Sequence, residues 1–508
     1  MASQVDIDNR FPITGALMLA TLMNTLDSTI ANVALPHMAG SLSASQDQIT
    51  WVLTSYIIAT AIMTPLSGWL SLKIGRKPMF LGSIAAFTIA SMLCGVAQNL
   101  PEMVLFRLVQ GIAGASMMPL SQATMLDIYP LKQIPQVMSI WSAAVIMGPI
   151  IGPALGGWIT ESLSWRWVFF INLPIGILAF LGVYLFMSHD GGGKQRPFDF
   201  LGFGSLVTFV CAFQLMTDRG PSQDWFGSKE IWIDAIIAAG AFWIFILQTL
   251  TADQPFFHRD LAKDRNFVAC TLFGLAVGAL LFSTTALLPT FMQTLLGYSA
   301  LQSGYASMPR GVGSLCAFLV VPFLIPRIGP RRTLMIGLAL AVLALWQMAH
   351  FDLSMTSMPI MTSGIIQGLG VGLLFAPLNT LSYATLNPIH RTEGTIVATM
   401  MRSLGSSLGI SLISATLTSS SAMAHSVLAG NFNCGSPILG ASLPPGMNPC
   451  QGGSLAALNG EVTRQASMIA YDSIFAWMAL GTLCLLPLLL IMRPPQALPM
   501  TPQEMPAE

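Results

Sequence analysis

Apolar residues along this chain gather in long runs separated by short polar stretches. The runs are about 18–25 residues long, the length a helix needs to cross roughly 30 Å of hydrocarbon. Fourteen spans are predicted, near residues 12–35, 50–70, 79–98, 103–126, 139–160, 167–187, 200–216, 229–250, 267–290, 302–325, 333–351, 358–383, 396–418 and 469–492. An even number of crossings puts both ends of the chain on one side. The pattern predicts an all-α polytopic membrane protein.

Composition strengthens that reading. Of 508 residues, 54% are hydrophobic and 9% charged, against roughly 25% charged in ordinary soluble domains. A soluble fold so poor in charge would lack the polar surface to cover itself. Net charge is zero, so no whole-chain field points to nucleic acid. There is no phosphate-cradling GxxxxGK[ST] loop and no Cys/His metal spacing, which excludes ATP hydrolysis by this chain and predicts neither metal nor cofactor. The start, Met1 to Pro12, lacks a basic n-region and a small-residue cleavage site, so the first span is expected to be retained.

The 22 Lys and Arg residues orient the spans. With the N-terminus inside, 15 fall on the inner side, four outside (Arg166, Arg219, Lys229, Arg464) and three within spans (Arg107, Arg310, Arg402). Cytoplasmic loops retain basic residues, so both termini are expected in the cytoplasm. One loop is long, residues 419–468 on the outer side. It carries Cys434 and Cys450, which either form a disulfide in an oxidising compartment or remain free.

Three pairs of segments recur in order. Ala34-Leu35-Pro36 is echoed by Leu287-Leu288-Pro289, Lys73-Ile74-Gly75-Arg76-Lys77 by Arg327-Ile328-Gly329-Pro330-Arg331, and Val109-Gln110-Gly111 by Ile366-Gln367-Gly368, at offsets of 253, 254 and 257 residues. Spans 1–6 are thereby matched to spans 9–14, as parallel repeats. The expected organisation is an N-terminal six-helix bundle (1–187), two inserted helices with linkers (188–266), a C-terminal six-helix bundle (267–492) and a tail (493–508). Membrane proteins built from such repeats bind cargo near the midplane, between the halves.

Asp27 lies in the middle of span 1, where a charge costs several kcal/mol. Thr21, Asn24, Ser28 and Asn32 share its helix face. It is either a proton carrier or a polar joint between helices. Arg107 in span 4 is its candidate counter-charge, or else snorkels to the inner surface. Asp472, near the outer end of span 14, is a second carrier or an interfacial cap; for Arg310 and Arg402, snorkelling is the expected explanation. In span 5, Gly148, Gly152, Gly156 and Gly157 with Pro153 suit a hinge between halves or plain close packing. The loop carrying Gly68, Gly75, Arg76 and Lys77 suits a conformational latch or topogenic charge. Asn24, Trp51, Tyr56, Gln110, Met117 and Met118 are candidate cargo contacts, since aromatic and thioether groups adapt to varied apolar ligands; the alternative is lipid or packing contact.

Together these segments resemble the major facilitator superfamily, and the fourteen-span plan resembles its drug:proton antiporter branch. Leu26-Asp27-Ser28-Thr29-Ile30-Ala31-Asn32-Val33-Ala34-Leu35-Pro36 looks like that branch's span-1 signature, and Arg107-Leu108-Val109-Gln110-Gly111 resembles its span-4 motif. Gly148 to Gly157 matches the G-x-x-x-G-P-x-x-G-G pattern of exporters. The Gly68–Lys77 loop departs from the family pattern in having Ser71 where Asp is usual. Asp218-Arg219-Gly220 and Trp165 to Gly176 look like the EmrB-type exporters.

The resemblance implies a proton-driven exporter of hydrophobic or amphipathic toxic compounds in a bacterial inner membrane, powered by the proton gradient, working with a periplasmic adaptor and an outer-membrane channel. Export of one endogenous metabolite, fatty acid or siderophore is the nearer alternative. A non-transporting receptor or scaffold is the alternative of another class. An enzyme is not expected, since no nucleophile–base pair is apparent and all six histidines lie in loops or at span ends.

Overall fold

The computed structural model describes residues 9–49, 51–130, 133–188, 197–430 and 452–492. Cys434 and Cys450 lie outside the described residues. Among the described residues the chain is helical, and thirteen helices are long and apolar enough to cross a membrane. To these is added α1 (Arg10–Ser41), 32 residues long, whose polar face carries Asp27. The others follow as α2 (Trp51–Ile74), α3 (Arg76–Val96), α4 (Leu100–Ile128), α5 (Ile134–Ser162), α6 (Trp167–Phe186), α7 (Phe200–Arg219) and α8 (Lys229–Thr251). Then come α9 (Arg265–Thr294), α10 (Ala300–Ile328), α11 (Pro330–Met348), α12 (Ser357–Ala384), α13 (Arg391–Gly430) and α14 (Gly452–Leu483).

Local chemistry explains the boundaries. Asn99 caps α4 by accepting from the Glu102 amide at 2.9 Å, with Pro101 in the first turn. Ser299 and Gln302 form a reciprocal capping box at α10, satisfying two amides that the first turn leaves free. Gly75 and Gly329, at the same place in the two repeats, take nearly identical backbone angles (φ 92°, ψ 156° and φ 85°, ψ 155°) as they turn α2 into α3 and α10 into α11. A side chain is strained there, so both repeats keep glycine.

Packing repeats as well. Helix α1 pairs with α5 and α6, α2 with α4, and α3 with α4 and α6. Eight spans on, α9 pairs with α13, α10 with α12, and α11 with α12 and α14. The two sets meet where α5 crosses α10 and α12, and where α13 crosses α2 and α4. One apolar core draws mainly on α9–α14, and two others mainly on α1–α6.

Helix α7 lies across α2 and α13. Its Asp218 accepts from the Thr54 hydroxyl at 2.7 Å, its Gln214 donates to Ser407 at 2.8 Å, and its Thr217 carbonyl accepts from Ser411. Helix α8 packs mainly on α7 and the turn before itself, exposing Trp232, Ile236 and Trp243. The expected long outer loop is corrected by the structure. Helix α13 continues through residues 419–430 and α14 begins at Gly452, and the two pair through Ser421–Ser467 and His425–Asn459, both at 3.0 Å. Their Ser, Gly and Asn content suggested a loop, but two helices packed side by side overrode that local preference.

Candidate functional site

Asp27 and Arg107 meet. Arg107 Nη1 donates to Asp27 Oδ2 at 2.6 Å, and both side chains are fully buried. Asp27 Oδ1 accepts from Gln110 Nε2 at 2.9 Å and from Asn172 Nδ2 at 2.8 Å. Arg107 also donates to the Gln110 side-chain oxygen at 2.9 Å and to the Val52 carbonyl at 3.2 Å. Its guanidinium carbon stands 4.3 Å from the centre of the Tyr56 ring, a favourable cation–π distance. Asn24 donates to the Tyr56 hydroxyl at 3.1 Å. Helices α1, α2, α4 and α6 thus close one polar knot inside the first helix set. Three donors converge on this one buried carboxylate.

That arrangement excludes snorkelling for Arg107. It also places Asn24, Tyr56 and Gln110 in the knot instead of on the cleft between the helix sets. Trp51 is 43% exposed at the rim, while Met117 is fully buried in the core of the first set. Asn172, the third partner of Asp27, lies within the Trp165–Gly176 segment. Nothing in its local sequence marks it as a partner 145 residues away. Asp472 stands apart near His350 and Asp352, with one carboxyl oxygen buried and unpartnered.

The glycines of α5 face α1. A Cβ on Gly148 would meet Thr25 at 2.5 Å, one on Gly152 would overlap Thr29, and one on Gly156 would press the Ile30 carbonyl at 3.2 Å. Gly157 is less confined, with Val33 at 3.9 Å. The glycine stripe therefore joins two helices of the same set. The neighbouring face of α5 meets α10, where Gly304 lies against Ala154 and Gly311 against Ile150. Pro149 and Pro153 line a cavity between the two sets, with Ile146, Leu281, Arg310 and Val371.

At the end of the molecule carrying Arg10, Arg76, Arg259 and Arg391, here the basic end, the sets are tied together. Asp127 on α4 accepts from Arg76 at 2.8 Å and from Arg391, at the start of α13, at 3.3 Å. Arg76 also donates to Thr392 at 3.1 Å, and Arg391 to the Leu126 carbonyl at 2.9 Å. A side chain at Gly68 would strike Ile396 of α13. Lys77 instead donates to the Tyr184 and Met187 carbonyls at the end of α6. Ser71, where the family pattern has Asp, bonds only its own helix at Gly68; Asp127 is the acid that engages Arg76. Beside this tie, His258 and His390 stack at 4.3 Å and Asp260 lies 3.2 Å from His258, fastening the segment after α8 to the α12–α13 turn.

Arg310 and Arg402 contradict the snorkelling expectation. Arg310 Nη2 donates to the Leu281 carbonyl at 3.1 Å, inside the cavity between the sets. Arg402 points to the same interface, 6.0 Å from the Trp141 ring and 5.6 Å from the Phe375 ring, with Met118 Sδ at 3.9 Å. Both are partly buried and face inward.

Two helix sets with one packing plan, a buried ion pair in one and a cleft between them, are the build of a polytopic transporter. The comparisons with known proteins agree. Residues 17–410 match the Major Facilitator Superfamily, and the chain belongs to that family: it is a multi-pass membrane transporter and not an enzyme. It is 35% identical over 489 residues to the multidrug export protein EmrB of Escherichia coli (strain K12), covering 95% of each chain. It is 33% identical over 492 residues to the fatty acid resistance protein FarB of Neisseria gonorrhoeae, covering 95% of this chain and 96% of that one. Among solved structures, the human organic anion transporter MFSD10 (TETRAN) shares the fold at a TM-score of 0.60 and 14% identity, over 93% of this chain and 99% of that one.

Proposed function

We propose that this chain is a proton-coupled exporter of hydrophobic or amphipathic toxic compounds that works by alternating access. Residues 1–187 and 267–492 are the two rocking bundles, and 188–266 are an insertion. Both termini face the cytoplasm of a bacterium, and the protein sits in the inner membrane. A periplasmic adaptor and an outer-membrane channel complete the path, in line with its likeness to EmrB. A cargo range narrowed to fatty acids is the second reading, favoured by the likeness to FarB, the fatty acid resistance protein.

The observation that carries this reading is the Asp27–Arg107 pair, fully buried at mid-span. A polar joint of the same shape can be made from Asn and Ser without the several kcal/mol that a charge costs inside a membrane. An ionisable joint gains a property that Asn lacks: it changes charge when the knot opens. Protonation of Asp27 from the outer side releases Arg107 and favours return to the inward-facing state after cargo release. Asp472 is a second candidate proton site. Arg76, Asp127 and Arg391 hold the cytoplasmic side shut in the state described, with Gly68, Gly75 and Lys77 shaping that latch.

The test is energised uptake of a fluorescent amphiphile into inverted vesicles. Wild type accumulates the dye until ΔpH is dissipated, whereas Asp27→Asn does not. Because Asn leaves Arg107 without its counter-charge, Asp27→Asn/Arg107→Gln serves as the folded control, verified by gel filtration. Undiminished ΔpH-driven uptake by Asp27→Asn removes Asp27 from the mechanism. A wild type that concentrates no solute under any gradient ends the exporter reading.

A further inference from the structure

The cleft between the two helix sets has walls of different character. The α4 and α5 wall offers Met118, Trp141, Ile146, Pro149 and Pro153, all apolar or aromatic. The opposite wall, from α10 and α13, offers two guanidinium groups. Arg310 has the backbone carbonyl of Leu281 as its acceptor, and Arg402 has two aromatic faces and a thioether. Among the described residues no carboxylate forms an ion pair with either one. The nearest-in-kind acids are committed elsewhere, Asp27 inside its knot and Asp127 in the basic-end tie. The two cations sit along one interface, Arg310 in the cavity and Arg402 beyond its lining: Ile146 beside Arg310 and Trp141 beside Arg402 are five residues apart on α5, as Val371 and Phe375 are four apart on α12.

A guanidinium cannot shed its charge, and holding it in a membrane interior without a counter-ion costs several kcal/mol. A protein that needed only packing at these positions would be more stable with Met or Leu. Two such costs along one interface, each beside apolar or aromatic side chains, describe a receptor for a molecule with a negative head and an apolar body.

We propose that Arg310 and Arg402 are the anion-recognising pole of the cleft, and that the cargo is an organic acid with one ionised head on a hydrophobic body. The assignment rests on the exporter reading above for the word cargo, while the binding it describes stands on the cleft. The apolar body lies against Trp141 and Met118, and the head exchanges the Leu281 carbonyl for itself on Arg310. In the conformation described, the cavity beside Arg310 is only about 60 Å³, room for a few waters and far below the roughly 300–1,000 Å³ of a drug-sized site. Entry therefore requires α5 and α10 to part.

The test uses the full chain in phosphatidylcholine nanodiscs and two probes with the same body, 11-(dansylamino)undecanoic acid and its methyl ester. Binding is read by dansyl fluorescence at pH 8. Wild type is expected to bind the acid at least about tenfold tighter than the ester, a difference of about 1.4 kcal/mol. Arg310→Gln and Arg402→Gln each weaken the acid about tenfold and leave the ester within about twofold, and Arg→Lys restores most of the preference. Because the removed charge has no carboxylate partner, the Gln variants fold, with thermal midpoints at or above that of wild type. The acid raises the midpoint of wild type but not of the double variant.

Equal affinity of wild type for acid and ester overturns the proposal, as does an equal loss for both probes in the Gln variants. Displacement of the acid by phosphatidylglycerol at equal concentration identifies a lipid headgroup as the anion and overturns the cargo assignment. ΔpH-driven transport of a cationic dye without any acid preference sinks this proposal and spares the exporter. Acid-selective binding without transport of any probe does the reverse.

Discussion

The two repeats share a packing plan and differ in where they keep charge. Offsets of 253, 254 and 257 residues place Leu280 opposite Asp27, Arg310 opposite Tyr56, and Gly364 and Gln367 opposite Arg107 and Gln110. In the first repeat the cation on α4 meets its acid on α1, and the tyrosine on α2 covers it. In the second, α9 has no acid at that place and α12 no cation. The cation is moved to the tyrosine's position on α10, where a backbone carbonyl is its acceptor. That carbonyl belongs to a π-helical turn, Gly278–Phe282, a local widening that leaves carbonyls of the helix without their usual partners. Gln367 keeps its place but donates to Thr284 at 2.9 Å instead of to a carboxylate. One half holds a neutralised, sealed pair and the other an unneutralised cation on the cleft. Duplicated bundles can thus place their charges differently without changing how their helices pack.

The loops differ in the same sense. Pro330 and Ala384 stand where the first repeat has Arg76 and Asp127. The basic-end tie is accordingly built on the acid of the first repeat, with Arg391 supplied across the interface.

The largest effect is expected at the sealed pair. Arg107→Leu strands the Asp27 carboxylate and should cost about 3–5 kcal/mol, seen as loss of monodisperse protein or a strongly lowered thermal midpoint, whereas Asp27→Asn/Arg107→Leu recovers much of it. An unchanged midpoint for the single variant would mean that the pair is not sealed as described. The two glutamines come next. Gln110→Leu breaks bonds to charged groups and should cost about 1.5–3 kcal/mol, Gln367→Leu about 0.5–1.5 kcal/mol; equal losses would erase the contrast between the halves. Smallest is Arg391→Ala. Arg76 still holds Asp127, so stability falls by about 1 kcal/mol or less. Maleimide labelling of a cysteine placed at Met118 should nonetheless quicken several-fold from the basic side, and no change would deny Arg391 a part in the closure.

Much of the site was readable in the chain itself. A lone acid among Thr21, Asn24 and Ser28 in an apolar run marks a buried polar face, and Arg107 in another run marks its partner. Asn172 gave no such signal, because a single amide in an apolar stretch reads the same whether it bonds lipid-facing backbone or a carboxylate. Asp127 was hidden too, since an acid near a helix end is ordinary until its neighbours are known. The positions of Arg310 and Arg402 along the chain mislead for a related reason. Distance from a helix end along the chain says how far a side chain must reach to find water, but not which way the helix is turned.

By itself, then, the amino-acid order determined what depends on length and local chemistry: helices that span hydrocarbon, turns that demand glycine at 75 and 329, a duplication read from its offsets, and the presence of charge in places where charge is costly. Only the folded arrangement decided how that charge is used. Whether a buried cation is neutralised or left facing the interface depends on the rotation of each helix and on residues 29 to 284 positions apart that meet across it. That information is carried by packing between helices and by no segment alone.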